Sequence, residues 1–108
     1  WKSSEEAFLF SLRCHAGLAP TKLKLKPDRN KYAVYHRSDY GPTFGGWHDL
    51  CIGRCDRYTG PDLKKGSSVI GNTYELPDGA SNKFLTGKGF YFKGMNAFKV
   101  SEVEVFRV

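Results

Sequence analysis

Apolar and polar positions alternate along much of the chain, and the alternation predicts short strands rather than helices. In 7–13, Phe8, Phe10 and Leu12 alternate with Leu9, Ser11 and Arg13. That period of two is the mark of a strand buried on one face and partly on the other. In 21–26, Leu23 and Leu25 point inward and the intervening lysines outward. Pro27, Asp28, Arg29 and Asn30 form a turn signal, and 31–36 alternates again, with Tyr32, Val34 and His36 on one face and Ala33 and Tyr35 on the other. The two segments predict a hairpin of 21–26 with 31–36.

Further along, 38–46 is a Gly-Pro corner and 48–52 a short strand, with Leu50 and Ile52 on one side and Asp49 and Cys51 on the other. The stretch 53–68 is polar, charged and rich in turn residues, so it reads as a long surface loop. A strand is expected over 69–76, weakened by Gly71, and a turn at Pro77-Asp78-Gly79. Phe84-Leu85 and 88–93 are short aromatic strand pieces. In the last stretch Phe98 and Val100 share one phase and Val103 and Val105 the other, which predicts a β-bulge at Ser101-Glu102. The one helix candidate is 3–7, with Ser4 as its cap. Seven or so short strands, with turns every 8 to 12 residues, favour an all-β fold, an antiparallel β-sandwich with at most short helical turns.

Composition sets the scale. The 108 residues make one domain, with a real but modest core. With 40% apolar and 15% aromatic residues the chain is not disordered, and 12 Gly with 5 Pro argue for turns over long helices. No apolar run approaches the roughly 18 to 20 residues that span a bilayer. The net charge of +6 is concentrated before residue 67. Lys22, Lys24, Lys26, Arg29 and Lys31 cluster around a single acid, Asp28, a surface that attracts acidic or phosphate-bearing partners. A solvated basic face explains it better than a dedicated nucleic-acid site.

The three cysteines, Cys14, Cys51 and Cys55, are a poor disulfide framework. Reduced thiols in a cytosolic protein are the simplest reading, with one bridge and a free thiol as the alternative. Cys51 reads as a buried small hydrophobe. Cys55, beside Arg54 and Arg57, is the candidate redox-sensitive thiol, because nearby positive charge favours the thiolate. No second Cys pair or suitably spaced His completes a metal site, and no cofactor motif is present.

The richest stretch is 40–50, where a Gly-Pro turn delivers Tyr40, Phe44 and Trp47 and then His48 and Asp49. Neighbours on a strand point to opposite faces, so His48 and Asp49 cannot act directly as a base and its orienter. If the strand begins at Asp49 they are corner residues, and Asp49 accepts hydrogen bonds from the Gly corner. Most of the aromatics are needed for packing. Tyr40, Phe44 and Trp47 are the exception, since rings on a Gly-rich corner can be exposed and mark contacts.

Four segments together resemble the TLDc domain family: 7–12 (A-F-L-F-S-L), 40–46 (Y-G-P-T-F-G-G), 48–52 (H-D-L-C-I) and 100–106 (V-S-E-V-E-V-F). The likeness is strongest to divergent invertebrate members and covers most of the chain. It implies a β-sandwich of two antiparallel sheets with no established catalytic residues. It also implies association with resistance to oxidative stress and with the vacuolar proton pump, V-ATPase, and its assembly. Three features depart from the family pattern. Residues 1–108 correspond to the C-terminal two-thirds of a full module, Trp47 stands where many relatives have a small residue, and 53–68 is Lys-rich and carries Cys55. A missing N-terminal portion would leave an open sheet edge, for a partner chain or for self-association.

The expectation is a non-enzymatic protein-interaction module, binding through Lys22, Lys24 and Lys26 and through the corner residues Tyr40, Phe44, Trp47, His48 and Asp49. The alternative is a secreted carbohydrate-binding or adhesion domain in which Trp47, Tyr40 and Asp49 hold a sugar. An enzyme using His48 or a Cys55 thiolate ranks last, because no third group completes a constellation.

Overall fold

The computed structural model describes residues 1–13, 17–38, 40–53, 65–82, 91–92, 95–102 and 104. Two antiparallel sheets account for nearly all its regular structure, as the alternation predicts. The small sheet pairs β1 (Phe8–Ser11) with β2 (Thr21–Lys24). The large sheet contains β3 (Val34–Tyr35), β4 (Thr43–Phe44), β5 (Leu50–Ile52), β6 (Lys65–Ser68), β7 (Tyr91–Phe92) and β8 (Met95–Lys99), in the order β3-β4-β5-β6-β8-β7.

The core lies where the sheets meet. Leu9 and Leu23, opposite one another in the small sheet, are buried with Ile70 and Tyr74, and Phe44 and Leu50 of the large sheet pack against them. Burying each such side chain contributes about 1.5–3 kcal/mol.

The predicted hairpin of 21–26 with 31–36 does not form. Residues 30–32 turn into a 3-10 helix, β2 pairs back onto β1, and Val34–Tyr35 joins the large sheet instead. A six-residue alternation fits a tight helical turn as well as a strand, and here Ala33 is the fully buried residue, not Tyr32 or Val34. The 53–68 loop is also corrected in part. Its end, Lys65–Ser68, is a central strand flanked by β5 and β8, and Gly66, Ser67 and Ser68 are buried. Small residues are required there, since a Cβ on Gly66 would lie 2.4 Å from the Phe98 ring.

The strand expected over 69–76 is a loop making one bridge, Leu25 with Tyr74. Residues 3–7 form a bend whose amides at Glu6 and Ala7 donate to the Ser4 hydroxyl, at 3.3 and 3.0 Å. The Pro77 turn is present, closed by the Ala80 N–H on the Pro77 carbonyl at 3.0 Å. At the C-terminal end β8 stops at Lys99 and Ser101 lies in a bend, and the strand expected beyond the bulge at Ser101-Glu102 falls mostly outside the described residues. Val103 and Val105 lie outside the described residues, as do Cys14, Cys55, Phe84-Leu85 and the remainder of the 53–68 loop.

The phase of β1 is unexpected. Leu9 faces the core, while Phe8, Phe10 and Leu12 are 45%, 62% and 70% exposed. Their face is shared with Lys24 and Lys22, the register partners of Phe8 and Phe10.

Candidate functional site

The corner that leads through β4 to β5 depends on glycine on both sides of β4. At Gly41 a Cβ would fall 1.8 Å from the Ile52 carbonyl oxygen, so the chain can lie directly on β5. Gly45 has φ +83, and a Cβ there would meet the Asp49 carboxylate at 2.2 Å. The turn closes with the His48 N–H on the Gly45 carbonyl at 2.9 Å. Trp47 and His48 then follow at φ 70 and 60, two successive side-chain-bearing residues in the left-handed region. Each such residue costs roughly 1–2 kcal/mol, so the surroundings must enforce the shape.

Asp49 provides much of that enforcement. It is fully buried, immediately before β5, so it is a corner residue. Its Oδ2 accepts the backbone N–H groups of Gly71, Asn72, Thr73 and Tyr74, each at 3.1 Å, and Oδ1 accepts Thr73 N–H at 3.0 Å. The donors belong to the 71–74 loop and not, as the sequence suggested, to the Gly corner. Gly45 contributes space beside the carboxylate, not a hydrogen bond to it. Charge-assisted bonds of this kind are about twice as strong as neutral ones.

The lock has further parts. The Thr73 hydroxyl accepts the Gly46 N–H at 2.8 Å, and the Asn72 side-chain amide donates to the Gly46 carbonyl. The Ala33 carbonyl accepts both the Gly45 N–H at 3.1 Å and the Tyr74 hydroxyl at 2.8 Å. Burial, and secondarily the Asp49 charge, push the Tyr74 phenol up to about 12.

Rings surround this frame. His48 lies 5.6 Å from Tyr35 and from Tyr40, centroid to centroid, and Tyr35 contacts Trp1, which meets Tyr32 edge-on at 5.6 Å. Arg37 sits over Tyr40 at 5.7 Å. Trp47 stands apart, 86% exposed, on the rim of an open cleft of about 240 Å³ lined by Trp1, Arg29, Tyr32, Gly46 and Trp47.

The structure therefore separates the residues singled out in the sequence. Trp47 is presented to solvent, whereas Tyr40 and His48 are half-buried in the ring cluster and Phe44 packs on the core. The Asp49 carboxylate is turned inward onto amides and the His48 ring lies against tyrosines, so the pair is not assembled as base and orienter. Lys22 and Lys24 are exposed. Lys26 is not a free surface cation, because its ammonium donates to the Gly71 carbonyl and its N–H to Thr73 O at 2.9 Å. Cys51 is buried and outside any disulfide, and its sulfur accepts the Thr43 hydroxyl at 3.2 Å. Among the described residues no group of His, Cys, Asp and Glu could hold a metal ion, and no helix is long and apolar enough to cross a membrane. Sequence reasoning missed Thr73 and Asn72. Their only signal was two polar residues inside a segment otherwise readable as a strand.

Two antiparallel sheets, a glycine corner and an inward carboxylate define an all-β sandwich with a rigid, aromatic-tipped turn. The chain belongs to the TLDc domain family, whose model matches residues 1–108. No curated protein and no solved structure matches it.

Proposed function

We propose that this TLDc domain is a non-catalytic protein-interaction module that docks through the corner tip at Trp47. The carrying observation is the exposure of the Trp47 indole on a turn whose backbone is held at positive φ. An indole held out by a fixed backbone loses little freedom on binding, and Trp is among the residues most often dominant in protein contacts. Membership of the family supports a protein partner and a link to oxidative-stress resistance. The soluble sector of the vacuolar proton pump is the partner to try first. Binding of that sector to the immobilised domain is expected at low salt, weakened by added salt and abolished in Trp47→Gly. Absence of binding at low salt removes the pump as partner. Full binding by Trp47→Gly removes the corner as the contact.

The cleft beside Trp47 favours one second reading. Trp1, Tyr32 and Trp47 offer ring faces and Arg29 a hydrogen-bond donor, the parts used to hold a sugar. Glycan-array binding that disappears in Trp47→Ala would support it, and a silent array would remove it.

A further inference from the structure

The face of β1 that the core does not use has an unusual combination of features. Phe8 and Phe10 are exposed on a strand whose only partner among the described residues is β2, and Leu12, just past its end, is exposed too. The other edge of β2 is taken, because the Glu75 N–H donates to the Lys24 carbonyl at 2.8 Å and the Lys26 N–H to Thr73 O at 2.9 Å. Lys24 thus turns its backbone groups away from β1. In an antiparallel ladder its register partner must do the same in the opposite direction. Phe8, opposite Lys24, and Phe10, opposite Lys22, therefore present their N–H and C=O groups to the open edge, while Leu9 and Ser11 make the ladder bonds to Leu23 and Thr21.

Cations stand on the same face. Lys22 and Lys24 project beside the rings, and the Lys22 ammonium leans across to lie 4.0 Å above the Phe8 ring, toward the free edge. An edge unpaired among the described residues, exposed rings and flanking ammonium groups are the elements of strand addition, in which main-chain bonds give affinity and alternate side chains give selectivity.

We propose that β1 is a docking edge for an extended acidic peptide segment of a partner protein, added as a third strand beside Phe8 and Phe10 with its carboxylates set against Lys22 and Lys24. This deepens the interaction reading above, on which it rests, but uses a surface other than the Trp47 corner. Charge selects the occupant. A second copy of the chain would bring its own +6 and a second lysine-bearing face to the same junction, which the like-charge repulsion opposes. An acidic strand is attracted, places its carboxylates over the ammonium-capped rings and leaves its other face to continue the side of the sheet that carries Leu9.

The test uses the whole chain and three fluorescent, end-blocked peptides of roughly seven residues, the length of a typical strand. One alternates Asp and Val, one alternates Lys and Val, and one is the acidic peptide with a central Pro. Fluorescence anisotropy should show salt-sensitive binding of the acidic peptide alone. The exposed double variant Lys22→Glu/Lys24→Glu should weaken that binding about tenfold or more, consistent with loss of two charge contacts at a rim. Phe10→Pro should weaken it similarly, because it removes an outward donor on an edge strand and no ladder bond. Amide spectra of 43–52 report that each variant is folded.

Trp47→Gly should leave peptide binding intact, so failure at this edge and failure at the corner are read separately. Four results would overturn the proposal: equal binding of acidic and basic peptides, an unchanged affinity in Lys22→Glu/Lys24→Glu, a dimer in sedimentation that Phe10→Pro dissolves, or lysine-dependent binding to phosphatidylserine vesicles without binding of the acidic peptide.

Discussion

Both carboxylate oxygens of Asp49 reach the same backbone N–H, that of Thr73, at 3.0 and 3.1 Å. With Gly71, Asn72 and Tyr74 the loop 71–74 is wrapped around one buried charge. Asp49→Asn keeps the shape but removes the charge and turns an amide NH2 toward a set of donors. It should destabilise the domain by roughly 3 kcal/mol, from the lost charge-assisted bonds and the orphaned amides. Gly45→Ala should cost a comparable amount, through the contact with the same carboxylate and the positive φ. Urea denaturation measures both, and a loss below about 1 kcal/mol in either, no more than an average point mutation costs, would show that the corner is not held this way.

Trp47 makes the opposite prediction. Its φ of 70 is glycine's territory and its ring is mostly in solvent. Trp47→Gly should therefore leave stability unchanged or raise it by up to about 1 kcal/mol while partner binding is lost. The pair of measurements, melting temperature and binding, separates a recognition residue from a packing one. A destabilised Trp47→Gly would assign the ring to the fold.

Tyr74 sets an alkaline limit. Its phenol stays neutral in the fold up to about 12, against an ordinary value of 10.0. Below pH 10 neither folded nor unfolded Tyr74 ionises, and stability is independent of it. Between pH 10 and 12 the unfolded chain loses the proton and the folded chain keeps it, so stability falls as pH rises, by ~2–3 kcal/mol in all. Tyr74→Phe should cost about 1 kcal/mol at neutral pH, for the bond to Ala33, and should flatten this part of the alkaline decline. Denaturation at a series of pH values above 9 is the check. An unchanged slope in Tyr74→Phe would show that other groups set the limit.

Cys51 should be inert while the domain is folded, since it is fully buried between Thr43 and β6. Alkylation followed by peptide mass analysis should label Cys51 only as fast as the domain opens, and denaturant should accelerate it. Rapid labelling under native conditions would show that β5 opens locally.

The fold class was legible because period-two alternation survives in β1, β2 and β5. The glycines of the corner were equally readable, being required by close approach. Pairing was not legible. The 21–26 and 31–36 segments had the spacing of a hairpin, but β2 found Leu9 opposite Leu23 and the intervening chain coiled at Asn30–Tyr32. β6 escaped notice because Lys65–Ser68 has loop composition, and its small residues suit a central strand only once Phe98 is known to lie opposite Gly66. Around the site, the sequence offers Asp49 both as a structural corner residue and as a binding residue, whereas the structure buries its carboxylate on donors from a segment distant in sequence. That segment read as a strand because Asn72 and Thr73 interrupt it only briefly. Amides captured by a carboxylate leave no periodic trace.

The Ala33 carbonyl, which joins the corner to Tyr74, has a consequence for how the molecule could be re-engineered. Positions 33, 45, 46, 49 and 71–74 clasp one another through main-chain atoms, one carboxylate and the polar groups of Asn72, Thr73 and Tyr74, and the indole at 47 takes no part in the clasp. The tip is thus an interchangeable fitting on a fixed mount. A library varied at 47 alone would sample new binding preferences without the scaffold having to be redesigned around each one.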